Sequence, residues 1–341
     1  MQPYKALALQ TTCAAINNID MANCLQHRLN VIHKIGKQIS ATKKFIGADL
    51  KLVVLPEYFT TGYPMGETIE QWQKKGCVIN NGEEYKLAAK YAQENDVYIS
   101  GNWYELDEHF ENLYFQTSFI INNEGDTILR YRRLNSMYAP TPHDVLTNYI
   151  KHYGEASILP IVSTQLGVLA CIASEEILYP EIARCLALQG AEVLLHSTSE
   201  VGSNMASHKN IAKLARSIEN MAYVVSANSA GITGTDFPEQ STDAHSQIIN
   251  YEGLKLCEAG YGESMVANAT IHLEALRQHR LRPGMGNYLS RQRFEVFAPT
   301  YNKTVYPANT LLHTPASRQH FLTTQQAVIT KLNAPLKENI N

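Results

Sequence analysis

The chain has 341 residues, 45% hydrophobic and 18% charged, with a formal net charge of −3. That balance excludes a disordered chain, which needs low hydrophobicity and high charge, and it supplies no basic field for nucleic acid. No apolar run approaches the ~20 residues of a membrane helix, and the opening MQPYKALALQTT lacks the pattern of a secretory signal, so a cytoplasmic protein without membrane partners is expected.

In chain order, YKALALQT (4–11) reads as a buried strand. Leu25, Leu29, Ile32, Ile35 and Ile39 then recur at helix spacing. LKLVVLPE (50–57) is a second strand, residues 84–95 a helix, and VYISGNWY (97–104) a strand again. Residues 115–133 read as a hairpin around Asn-Asn-Glu-Gly-Asp. The hexapeptide Glu111-Asn112-Leu113-Tyr114-Phe115-Gln116 just before it matches the recognition sequence of a tag-removing protease, but it flows into a strand and reads as coincidence.

The second half repeats the style. ILPIVS (158–163) and LGVLACIAS (166–174) are strands, residues 179–190 a helix with Pro near its start and Gly at its end, and AEVLLHS (191–197) a strand. A helix over 206–222 carries Ile211, Leu214, Ile218 and Met221 on one face. YVVSAN (223–228), HSQIIN (245–250) and SMVANATI (264–271) follow as strands. The pattern weakens from about residue 275, and residues 281–341 read as a C-terminal extension, either an oligomer contact or a mobile terminus, after a 1–280 domain.

This alternation argues for an α/β layered fold. A helix–sheet–sheet–helix (αββα) sandwich fits it, and a single doubly wound sheet is the competitor. The six cysteines, at 13, 24, 77, 171, 185 and 257, show no CxxC pair, and the twelve histidines show no ligand spacing. Free thiols, no structural metal and no cofactor are expected, since no P-loop or GxGxxG follows a strand.

Three polar groups end apolar strands, where α/β folds open onto ligands: Glu57, Arg133 and Ser174. With LVVLPE (52–57), SFIINNEGDTILRYRRLN (118–135), GVLACIASEEILYPEIARCLALQGAEVLLHS (167–197), LARSIENMAYVVSAN (214–228), HSQIINYEG (245–253) and Gly262-Glu263 in this order, the chain resembles the nitrilase (carbon–nitrogen hydrolase) superfamily, on its amidase and nitrilase side. The resemblance implies a Glu base, a Lys and a Cys nucleophile acting on an amide or nitrile carbon. Glu57 matches the Glu, whereas Arg133 stands in the Lys position and Ser174 in the Cys position. The second acid of the amidase branch is also missing: Thr141 falls there, with Asp144 the nearest acid.

A serine needs a stronger base than a thiol does, and Arg is a bulkier, permanently charged fork suited to a carboxylate. Arg133 is therefore expected to bridge Glu57 or a bound carboxylate. Cys171, three residues from Ser174, should face the core. Tyr58, Tyr63, Tyr138, Glu175 and His196 are the expected substrate-contacting neighbours; a Ser174–His196 dyad is conceivable, a merely hydrogen-bonded His196 more ordinary. Glu176 is expected to begin a helix, where an acid suits the positive end. Arg216 and Glu219 read as a same-helix ion pair. The favoured expectation is a pseudoenzyme binding a small amide- or carboxylate-like molecule. The alternatives are a hydrolase of amides or nitriles, active or inactivated by the Ser, and a structural subunit. A homodimer or larger homo-oligomer is implied by the resemblance.

Overall fold

The computed structural model describes residues 2–202 and 207–338. Two sheets, of seven and six strands, carry the fold. Runs rich in Val, Leu and Ile give β1 (Tyr4–Ala8), β2 (Leu50–Val54), β3 (Tyr98–Leu106), β4 (Tyr114–Ile121) and β5 (Thr127–Arg132) in the first half. In the second half they give β6 (Ile161–Thr164), β7 (Gly167–Ala173), β8 (Val193–Ser197), β9 (Tyr223–Ala227), β10 (Gln247–Ile249) and β12 (Asn268–Ile271), with the more polar Lys255–Glu258 adding β11. The first sheet runs β12-β1-β2-β3-β4-β5, with the short strand Cys77–Val78 beside β3; the second runs β11-β10-β9-β8-β7-β6. In each sheet the central three strands are parallel and the flanking pairs antiparallel.

Strand parity sets the layers, because alternate residues face opposite sides. Ala6, Leu52, Val54 and Tyr131 of the first sheet meet Leu169, Cys171, Leu195 and Val225 of the second in a shared inner core. On the outside of the first sheet, Leu7, Val53, Ile99 and Phe119 pack under α1 (Cys24–Ile46) and, numbering the helices that matter here, α2 (Glu83–Asn95). These two helices lie so close that a Cβ on Gly36 would meet the Tyr91 ring at 2.3 Å. Outside the second sheet, Ala170, Ile172, Leu194 and Val224 pack under α3 (Pro180–Leu188) and α4 (His208–Asn220). The architecture is the αββα sandwich, and the single doubly wound sheet is excluded.

Two expectations need correction. In α1, Leu25 is exposed and Arg28 is buried instead, where it meets Glu84 at 2.8 Å. In α4 the apolar stripe is split: Ile211 is 64% exposed and Ile218 38%, Leu214 and Met221 turn inward, and Lys209, Lys213, Arg216 and Asn220 are buried as well. The reason lies in what α4 covers. Arg216 donates to the carbonyls of Ile177 and Leu178, and Ser217 to that of Asn250, so loop-end acceptors demand polar groups on the inner face. Arg216 does pair with Glu219, at 2.6 Å. The predicted first residue of this helix, 206, lies outside the described residues.

Beyond β12 the chain forms α5 (Leu273–Leu281), α6 (Phe294–Tyr301) and α7 (Arg318–Glu338). The segment after 281 is thus helical in two places. Leu311 and Phe321 are buried against Phe110, Leu113 and Tyr149, so apolar anchors tie it to the β3–β4 connection. Residues 339–341 of the expected extension lie outside the described residues.

Candidate active site

The site forms where β2, β5, β7 and β8 end on the same edge of the sandwich. Glu57 lies three residues past β2 and is 1% exposed. Its Oε1 accepts from Gln116 Nε2 at 2.5 Å and Arg133 Nη1 at 3.2 Å, and its Oε2 from the Ser199 amide at 3.2 Å. Burial pushes the Glu57 carboxyl up; Arg133, Lys209 and hydrogen bonds from Ser174 and Gln116 oppose that push without cancelling it.

Ser174 follows β7 at a sharp corner with φ +51°. A side chain in this left-handed region costs about 1–2 kcal/mol, so the surrounding structure imposes the turn. The acid two residues on helps. Glu176, 0% exposed, accepts from the Tyr131 hydroxyl at 2.7 Å and from the amides of Leu134 at 2.7 Å, Asn135 at 3.0 Å and Ala173 at 3.3 Å. One carboxylate therefore fastens the Ser174 corner to the Arg133 loop. Glu176 is thus more than the expected helix-start acid: its side chain points inward and ties two sheets together.

Arg133 has no idle arm. Besides Glu57, its guanidinium donates to Gln116 Oε1 at 2.7 Å and the Asn135 carbonyl at 2.5 Å, and pairs with Glu175 at 2.5 Å. Burial works against its charge, and Glu57, Glu175 and Glu176 outweigh that effect. The expected bridge to Glu57 is present, with Glu175 as a second carboxylate on the fork.

The other expected neighbours scatter. Tyr58 is buried, stacks on Tyr104 and donates to the Ser199 carbonyl at 3.2 Å. Tyr63 packs edge-on against Tyr58, and Tyr138 lies under the Arg318 guanidinium at 4.0 Å from the ring centroid. His196 is fully buried behind the corner: Nδ1 contacts Ser226 Oγ at 2.9 Å and Nε2 the Ser174 carbonyl at 2.8 Å. The conceivable dyad is not made, because parity along β8 sends Leu195 to the inner core and His196 to the α4 side. Burial and the charges of Lys213 and Lys209 hold His196 well below the ordinary imidazole range, so it is a neutral brace. Cys171 faces the inner core as expected, 3.8 Å from Ser100 Oγ, its thiol pushed up to about 12 by burial. Asp144 caps its own turn at Thr141 and accepts from Thr310 at 2.8 Å, so it is spent on structure.

Three site groups escape sequence reasoning. Gln116 closes the protease-like hexapeptide; its signal is a polar residue inside an apolar strand. Ser199 contributes a backbone amide, which no sequence pattern marks. Lys209 reaches the corner from the first turn of α4: its Nζ is 3.2 Å from Ser174 Oγ, 3.2 Å from Thr198 Oγ1 and 2.6 Å from Glu200 Oε2. The apolar stripe of α4 hides it, because that stripe suggests the opposite orientation for the helix. Among the described residues no group of three or more His, Cys, Asp or Glu is arranged to hold a metal ion.

This arrangement sets a buried carboxylate beside a hydroxyl on a strained corner at the edge of an αββα sandwich, with Lys209 on the hydroxyl and Arg133 on the carboxylate. The family model for carbon–nitrogen hydrolases matches residues 10–281, and the chain belongs to that family. It is similar to a probable nitrilase of Schizosaccharomyces pombe, 25% identical over 255 residues, 75% of this chain and 85% of the relative. A formamidase of Bacillus cereus is 26% identical over 258 residues, 75% of this chain and 72% of that protein. The fold is also that of a carbon–nitrogen hydrolase from Helicobacter pylori, with TM-score 0.65 and 18% identity over 89% of this chain and all of the other.

Proposed function

We propose that this chain has left the thiol-based hydrolysis of its family and binds a small amide- or carboxylate-like molecule at the Glu57–Arg133–Ser174 site. The observation that carries the reading is the state of Arg133. It is locked between Glu57 and Glu175, so it cannot move to a substrate oxygen as a flexible amine could, and Ser174 replaces the thiol beside it. Glu175 is the half-exposed partner, 35% by side chain against 2% for Glu57. A ligand carboxylate displacing Glu175 from the guanidinium fork would keep every other bond in place. The test pairs ammonia release from formamide, acetamide and simple nitriles with thermal shift against small carboxylates. The expected result is no release above background and a rise in Tm with one carboxylate class. Release at enzymatic rates by the unmodified protein would overturn the reading.

A second reading, a carbon–nitrogen hydrolase working through Ser174, is favoured by Lys209 Nζ lying 3.2 Å from the hydroxyl oxygen. It predicts an acyl adduct on Ser174, visible by mass after exposure to amides and esters. We further propose a cytoplasmic homodimer or larger homo-oligomer. The outward pair Ile211 and Ile218, beside exposed Leu178 and Tyr179, supports a second copy as its cover. A monomer by light scattering would sink that part. No helix among the described residues is long and apolar enough to cross a membrane.

A further inference from the structure

Two cations reach this site, and they serve different atoms. Arg133 donates to Glu57, Gln116, Glu175 and the Asn135 carbonyl. Lys209 is the cation on Ser174 itself, 3.2 Å from Oγ. The Glu57 carboxylate faces the same corner, close enough for the Ser174 hydroxyl to ease its ionisation. The Ser174 oxygen thus has a donor for negative charge at hydrogen-bond distance, and Glu57 is the nearby carboxylate that can take its proton. Thr198 and Glu200 fix the direction of the Lys209 ammonium, which leaves it no freedom to swing away.

We propose that Lys209, entering from α4, is the group that stabilises negative charge at position 174, and that Arg133 is confined to holding Glu57 and Glu175. The inference deepens the hydrolase reading and rests on it for its catalytic meaning. In that reading Ser174 Oγ forms a bond to the acyl carbon while its proton passes to Glu57 and the carbonyl π pair moves onto the carbonyl oxygen. When that pair returns, the bond to the leaving group breaks, and the leaving group departs with the proton held by Glu57. Water then adds to the acyl-serine by the same route, its proton going to Glu57, and the acid leaves as Ser174 regains a proton. In each half, charge builds up beside Oγ as its proton moves, and Lys209 faces that oxygen through both. The substrate class is a small acyl compound, amide or ester, whose carbonyl carbon comes within reach of Oγ.

The role of Lys209 can be measured without any turnover. In Ser174→Cys protein, the pH dependence of alkylation by iodoacetamide, followed at this residue by peptide mass, reports the thiolate fraction. An opposite charge within hydrogen-bond distance shifts such a group by at least about one unit. Adding Lys209→Met should therefore lower the thiolate fraction at pH 7 about tenfold, and Lys209→Arg should restore most of it. Glu200→Gln, which frees Lys209 of its counter-charge, should raise it. A profile unchanged within about twofold by Lys209→Met, or changed equally by Met and Arg, would overturn the assignment. A Lys209-dependent profile in a protein that forms no adduct on Ser174 would sink the hydrolase reading and uphold Lys209 as the charge at this position.

Discussion

Arg132 and Arg133 leave the end of β5 on opposite faces. Arg132 turns to Glu105 and Asp107, where its guanidinium also lies 4.8 Å from the Phe115 and Tyr153 ring centroids and 5.4 Å from that of Tyr149. Arg133 turns to Glu57 and Glu175 at the open edge. Both are buried, paired and charged. The difference is in what surrounds them. Arg132 sits in an aromatic cage with Glu105 at 0% and Asp107 at 2% side-chain exposure, and none of its partners can leave. Arg133 has one partner, Glu175, in contact with solvent. A saturated buried pair is architecture, whereas a pair with one displaceable member is a place where a ligand can enter.

That contrast can be broken most forcefully at Arg132. Arg132→Met leaves Asp107 with only the Tyr153 hydroxyl and a backbone amide, and Glu105 with Arg130 and Tyr85. The expected loss is about 5 kcal/mol, the upper end for unpairing a buried charge, read from urea midpoints. Arg133→Met should cost less, about 3 kcal/mol, because Gln116 and the Ser199 amide still hold Glu57. An equal loss at both positions would erase the distinction between the two arginines.

Glu176 offers a pH test of the same site. Burial raises its carboxyl from an ordinary 4.5 to about 6, against Arg133, the Tyr131 hydroxyl and the Asn135 and Leu134 amides. A raised carboxyl binds its proton better in the folded state. Its contribution is therefore full below about 4.5 and is lost as pH rises through about 6. The shift corresponds to about 2 kcal/mol. Glu176→Gln should flatten the stability difference between about pH 3.5 and about pH 7.5 by that amount; an unchanged profile would show that the group titrates elsewhere. The smallest effect is expected at Arg318, over the half-buried Tyr138 ring. Arg318→Ala should cost no more than about 1 kcal/mol, in contrast with the caged Arg132.

Much of this architecture is legible in the amino-acid order. Short apolar or aromatic runs mark every numbered strand except β11 (Lys255–Glu258), with the two hairpin strands read as one unit. They can be read because a buried strand needs a short apolar run and little else. Glu57, Arg133 and Ser174 are legible as polar groups ending such runs, and the structure brings them to one edge. Lys209 is not, since a helix with both an apolar stripe and a polar one does not say which residues face inward when apolar sheet side chains and loop-end carbonyls both lie beneath it. Gln116 is hidden for a related reason: strand parity is known from sequence, but the partner across the gap is not.

The sequence by itself determined the strand segments, their ends and the chemical identity of the residues on them, because periodicity and side-chain type are local. Only the tertiary structure decided which arginine of the Arg132–Arg133 pair meets the site, that His196 braces the corner from behind, and that a lysine from α4 stands on Ser174. Those outcomes depend on which buried acceptors and charges meet across two sheets, and a buried polar group takes the partner that the packing brings within hydrogen-bond distance.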